Sequence, residues 1–468
     1  MKMAAEKKYK MDMCHGPLFG KIVRFAVPLA MANALSLMFH AADIMVVGKF
    51  ASAQAMAAVG AAPAFTNLML NLFWGISAGV NVLTARYTGA QDRESLFKTV
   101  HTAITVAIVG GIVLTVLGCF ITRPVLEFMC VPEVIMDKAC LYIWIWCIGS
   151  PFMILYSFGS AILRAIGDTK RPLIYMVIAG IVNVLLNLFF VLVCKMDVAG
   201  VAIATKISNG VSAVLVLVAL TRSNEDYKLV WRKLTFCWPI FKEMLRIGIP
   251  AGVQGALFSV SNLIIQSTIN SFGWFAIAGS SAALSLEGII HSCATAFALT
   301  AVSFVGQNHG GRKYKRIVRS VFISMGCAIA IMILGGALCF LFQEELLSIY
   351  NSDPEVIRWG QVRIRYQLTF YALLAVMEVL TSSLRGLGYS FVPMIVTLMG
   401  ACVFRVVWVY TILPMCTGGP MERMINLMIS YPVSWVLVSL VNGPLLFFVC
   451  RRMLIRASRR EFDDLTVK

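Results

Sequence analysis

Charge is scarce in this chain, and acid is scarcer still. Only 13% of residues are Asp, Glu, Lys or Arg, about half the share of an ordinary soluble domain. So few charges cannot cover a water-soluble surface, which excludes a soluble globular fold. No G-x-x-x-x-G-K-[ST] loop occurs, and the glycines inside apolar runs lack a strand–turn–helix context. A nucleotide-driven pump carrying its own ATPase is therefore disfavoured. Histidine is limited to five dispersed residues, 15, 40, 101, 291 and 309. No cluster of acids and imidazoles marks a catalytic centre, and an enzyme is not expected. The thirteen Cys are scattered without a C-x-x-C pair. They read as small apolar packing residues, and neither a disulfide framework nor a metal or cofactor is expected.

What the chain has is apolar length. Hydrophobic residues make up 59%, with a mean hydropathy of +0.82. Runs of about 20 or more apolar residues, each enough to cross a hydrocarbon core of about 30 Å, fall near 22–47, 56–84, 99–122, 139–161, 172–193, 199–221, 247–272, 278–304, 320–342, 361–384, 392–415 and 426–449. An all-α polytopic membrane protein with twelve spans is expected.

The second half repeats the first. Leu163-Arg164-Ala165-Ile166-Gly167 with Pro172 returns as Leu384-Arg385-Gly386-Leu387-Gly388 with Pro393. Arg24…Pro28 returns as Arg246…Pro250, Pro132-Glu133-Val134 as Pro354-Glu355-Val356, and Gly89 as Gly310, all at an offset of 221 or 222. Four matches in order at one offset are not chance, and the period is far too long for a short-repeat solenoid. Six spans per copy is an even number, so both copies share one orientation. Two six-helix lobes related by a pseudo-two-fold axis along the membrane normal follow. The boundaries expected are 1–221 for the N-lobe, 222–246 for a cytoplasmic linker, and 247–468 for the C-lobe with its basic tail.

The formal net charge of +17 would point to nucleic acid in a soluble protein. With both termini cytoplasmic, however, about 30 of the 40 Lys and Arg fall inside. That is the positive-inside bias of a multi-pass protein of the cell membrane. Anionic head groups are the expected partner of the basic loops, with no nucleic acid and no second copy required. No cleavable signal peptide is expected, because the basic first residues lead straight into a long span.

An ionisable group at the bilayer centre costs on the order of 2.5–3.5 kcal/mol on insertion scales, so each is a candidate site. In the first half these are Asp43 on span 1, Asn183 and Asn187 four apart on one face of span 5, and Thr205 on span 6. Burial disfavours a charged carboxylate, which suits Asp43 to proton exchange; the plain alternative is an inert interfacial residue. His40, one turn away, either tunes Asp43 or packs, and packing is favoured. Lys206 is expected to snorkel outward. In the second half Glu287 and His291 share a face of span 8, with Arg405 on span 11 at similar depth and Glu378 on span 10 nearer the cytoplasm. A Glu287–Arg405 pair would remove two lone charges. Pro28 and Pro250, near the starts of spans 1 and 7, are either hinges or fixed kinks. At the repeat offset Asp43 falls opposite Ile264 or Ile265, Asn183 opposite Phe404 or Arg405, and Asn187 opposite Trp408 or Val409. The first-half polar cluster therefore has no copy.

On these residues the chain resembles the MATE family (multidrug and toxic compound extrusion), closest to its bacterial DinF-like branch. The resemblance rests on Pro28…Asp43-Ile-Met-Val-Val-Gly48, the Gln307-Asn-His-Gly310 turn, the paired Leu-Arg-x-x-Gly motifs with their prolines, and Gly200-Val-Ala-Ile-Ala-Thr205. It implies a V-shaped pair of lobes that exports organic, often cationic, compounds in exchange for protons or sodium. The branch's coupling residues map onto Asp43, Asn183, Asn187 and Thr205. The departure is Asn187, where that branch often has Asp. One carboxylate fewer makes a poorer sodium site, so protons are the expected coupling ion. The acids that NorM-like members carry on spans 7 and 10 are unmatched, Glu378 being one turn out of register. The competing readings are a flippase for lipid-linked oligosaccharide, a membrane-embedded transferase and a channel.

Overall fold

A backbone in hydrocarbon must bond to itself, and helices do so within a single segment. Accordingly the described chain is helical with no strand. The structure, a computed structural model, describes residues 10–50, 63–129, 131–194, 196 and 198–466. Twelve helical segments occupy the positions of the twelve runs. Spans 1 to 3 are Leu18–Phe50, Pro63–Ala90 and Arg93–Phe128. Span 4 is Glu133–Ile148 continued by Ser150–Ala165, span 5 is Lys170–Leu188 with a π-helical turn Phe189–Val193, and span 6 is Val198–Thr221. Spans 7 to 9 are Trp238–Asn270, Trp274–Gly310 and Tyr314–Leu341. Span 10 runs from Pro354–Tyr366 through a short 3-10 turn into Tyr371–Gly386. Span 11 is Phe391–Thr397, a π-helical turn Leu398–Val403, and Phe404–Met415; span 12 is Pro420–Thr466. Among the described residues ten of these segments are long and apolar enough to cross a membrane, eleven with the bent span 4. Pro63–Ala90 stands at the remaining position, its predicted start at 56 lying outside the described residues.

The chain folds into two compact units that do not follow chain order. One takes the described residues through Asp12 and Met31–Gly252; the other takes Met13–Ala30 and Val253–Lys468. Spans 1 and 7 are therefore each divided between units, a few residues after Pro28 and Pro250 respectively. Glycine explains why the start of span 7 belongs to the first unit. A Cβ on Gly75 of span 2 would lie 2.3 Å from the Gly252 nitrogen and 2.4 Å from the Gly248 oxygen. The two backbones touch with no room for a side chain, the close approach that small residues permit between membrane helices.

The repeat is also written in the backbone. Among the described residues, Gln91 and Arg312, 221 apart, are the two non-glycine residues with positive φ, at 56° and 55°. Gly167 and Gly388 close spans 4 and 10 at φ of 102° and 91°, a conformation glycine adopts without penalty. Span 4 bends by 43° between its two segments. The bend sits at Gly149, where a Cβ would meet the Lys206 side chain at 2.3 Å. Lys206 is 8% exposed, with its ammonium 4.6 Å above the Trp146 ring. It fills that bend, and the outward snorkelling expected from the sequence is not what it does.

Candidate functional site

In the first unit, spans 1, 5 and 6 bring the four expected polar residues into one chain of hydrogen bonds. Asn187 is 1% and Asn183 5% exposed, and their spacing of four puts both on one helical face. Asn187 Nδ2 donates to Asp43 Oδ1 at 2.5 Å and to Asn183 Oδ1 at 3.3 Å. Asn183 Nδ2 donates to Thr205 Oγ1 at 3.2 Å, and Thr205 donates in turn to the Val201 carbonyl at 2.9 Å. Asn187 donates both to Asp43 and toward Asn183, and from Asn183 onward the donors point to Thr205 and the Val201 carbonyl, so the series links the carboxylate on span 1 through span 5 to span 6. Asn187 Oδ1 is buried and has no partner among the described residues. Among the described residues this buried acceptor, beside the Asp43 carboxyl, is the unsatisfied point of the series. The π-helical turn of span 5 begins two residues after Asn187, and such turns recur where a helix is adapted to a site. The side chain of His40 lies outside the described residues.

In the second unit the four candidates do not form one site. Glu287, 2% exposed, pairs with Arg363 and not with Arg405. Arg363 Nε and Nη2 reach its two oxygens at 2.8 and 3.0 Å, and Arg363 Nη1 donates to Ser280 at 2.8 Å. Tyr371 and Gln367 donate to Glu287 Oε2 at 2.7 and 3.2 Å. This is a saturated bidentate pair joining spans 8 and 10. The sequence signal for it was the spacing Arg363, Gln367, Tyr371, four apart and hence on one face. The expected Glu287–Arg405 pair fails because equal depth says nothing about which way each helix face points. Arg405 turns to span 12, donating from Nε to Ser434 Oγ at 2.9 Å. His291 Nε2 and Glu378 Oε1 meet separately at 2.7 Å, with Thr295 donating to Glu378 at 3.4 Å.

This fold and its intramembrane polar residues belong to a class of membrane transporters. Residues 28–189 and 250–411 each match the MatE family, two equal stretches displaced by 222 residues, and the chain belongs to that family. Probable multidrug resistance protein YpnP of Bacillus subtilis is 26% identical over 396 residues, covering 84% of this chain and 88% of that protein. An FAD transporter of Shewanella oneidensis is 22% identical over 451 residues, covering 94% and 96%. Among solved structures, a MATE in the bent conformation superposes with a TM-score of 0.85 at 20% identity, covering 93% of this chain and 96% of that one. At that identity the likeness speaks to the fold. The chain is thus a multi-pass transporter of the MATE class with a duplicated scaffold.

Proposed function

We propose that this transporter is a secondary antiporter that exports organic cations in exchange for protons by alternating access, with Asp43 as the proton-carrying group. The observation that carries the reading is the two-sided Asn187 amide. As a carboxylate, Asp43 accepts from Asn187 Nδ2. As an acid, it donates to Oδ1, the buried acceptor without another partner, once the amide turns over. That turn withdraws Nδ2 from Asn183 Oδ1 and so transmits the protonation state from span 1 to spans 5 and 6. Facing out, protonation of Asp43 exchanges its charge-assisted bond to span 5 for a weaker neutral one, span 1 bends at Pro28, and cargo leaves. Facing in, the deprotonated acid attracts a cation. Asn187 in place of a second acid favours the proton over sodium, although Asp43, the Asn187 and Asn183 amide oxygens and Thr205 are all oxygen donors of the kind sodium uses.

The remaining assignments follow. The transporter sits in the inner membrane as a monomer with both termini cytoplasmic, its basic loops against anionic head groups. One proton exchanged for one monovalent cation moves no net charge. Export then draws on the pH gradient and not on the roughly 2.3 kcal/mol per charge that 100 mV supplies. In proteoliposomes, ethidium export driven by a pH gradient is expected to release protons, to survive clamping of the voltage at zero, and to be abolished in Asp43→Asn with membrane insertion intact. Full export by that variant rejects the assignment, and export driven by a sodium gradient alone transfers the site to sodium.

A further inference from the structure

The second unit buries two guanidinium groups and treats them oppositely. Arg363 is closed off by Glu287 and Ser280. Arg405 is 1% exposed, and no acid pairs with it among the described residues. Its Nε bonds to Ser434, whose own proton is committed to the Tyr431 carbonyl at 2.6 Å. Its Nη2 is buried with no partner among the described residues. The rings of Tyr431, Phe258 and Trp435 stand 4.1, 5.7 and 6.0 Å from the guanidinium carbon. Ring faces compensate part of the charge, but they do not accept the directed N–H bonds of the fork, as an oxyanion does.

We propose that Arg405 anchors a second ligand site, an anion site that takes the carboxylate or phosphate of an aromatic substrate. The unpartnered Nη2 supplies a charged donor for the oxyanion, and the aromatic side chains beside the guanidinium supply a stacking wall for the ring that carries it. Two further observations place the site where ligand chemistry belongs. The displacement of 222 between the matched halves puts Arg405 opposite Asn183, at the middle of the first unit's polar chain. A π-helical turn, Leu398–Val403, ends two residues before it. The two copies of the scaffold thus hold opposite polarity at one equivalent position: a relay ending on an acid in the first, an unpaired base in the second. The inference does not rest on proton coupling at Asp43, because each site is complete within its own unit.

Binding of 2-naphthoate to the purified full chain, followed by tryptophan fluorescence, tests this against uncharged 2-naphthamide of the same ring size. The wild type is expected to bind naphthoate roughly ten- to a hundredfold more tightly than the amide, the scale of one charged hydrogen-bonding group. Arg405→Gln is expected to erase that preference. Arg405→Lys, which keeps the charge and loses the fork, is expected to reduce it several-fold, and serves alone if the Gln variant fails to fold. Equal affinity of the wild type for the two probes overturns the proposal, as does an undiminished naphthoate preference in either variant.

Discussion

The polar clusters of the two units differ in one respect: the second unit's is a saturated strut and the first unit's is not. Around Glu287 every carboxylate oxygen is met by donors from Arg363, Tyr371 and Gln367. Around Asp43, among the described residues, a single amide serves the carboxylate, and that amide's own oxygen is left over. A saturated network in a low-dielectric interior has one arrangement, and removing a member leaves an uncompensated charge. An unsaturated one has a second arrangement available at little cost. Duplication supplied the same helices twice, and the choice of polar residues left one copy's network saturated and the other's open.

The largest effect should come from breaking the strut. Glu287→Ala strands the buried Arg363 and is expected to cost about 3–5 kcal/mol, seen as a large fall in thermal midpoint in detergent. The double variant Glu287→Leu/Arg363→Met should recover most of that loss, because neither charge remains. A double variant as unstable as the single would show that the pair does more than neutralise itself. Next, Gly252→Val forces a side chain into the contact with span 2 and should cost about 1–3 kcal/mol, the usual penalty of overpacking. Asn187→Ala sharpens the comparison from the other side. It should cost less stability than Glu287→Ala does, about 1–3 kcal/mol, while lowering proton-coupled export by roughly tenfold, the worth of one hydrogen bond to a charged group. The smallest effect belongs to the caps. Asp92 accepts from the Ser95 N–H at the start of span 3, while its counterpart Lys313 caps span 9 with no side-chain bond. Asp92→Ala should cost about 1 kcal/mol at neutral pH. Ser95 holds the Asp92 carboxyl below its ordinary range. The stabilisation is therefore present above the unfolded-state value, and it fades as pH falls through the depressed one. Lys313→Ala should show no such dependence.

The duplication and the grouping of the first unit's polar residues were legible because both are written in local patterns. The offset of 221 or 222 reappears as the pair of positive-φ turns at Gln91 and Arg312 and as the two displaced family matches. Asn183 and Asn187 announced a shared face by their spacing, and the distance from Asp43 to Thr205 along the chain was bridged by depth alone, correctly. Depth alone failed in the second unit. Glu287 and Arg405 lie at similar levels, yet which helix faces which is decided by packing direction, and that is not written in a hydropathy run. Lys206 was misjudged for the same reason: the bend at Gly149 that receives it is set by tertiary fit. The division of spans 1 and 7 between units was likewise hidden, since a proline marks where a helix can bend without saying which neighbours it joins.

We propose that Asp43 alone carries the exchanged proton. Counting protons released per ethidium exported, in wild-type and Asp43→Asn proteoliposomes at zero voltage, tests it most directly. A ratio near one in the wild type, with both fluxes lost together in the variant, is the predicted result; proton flux persisting in Asp43→Asn at the wild-type ratio would contradict it.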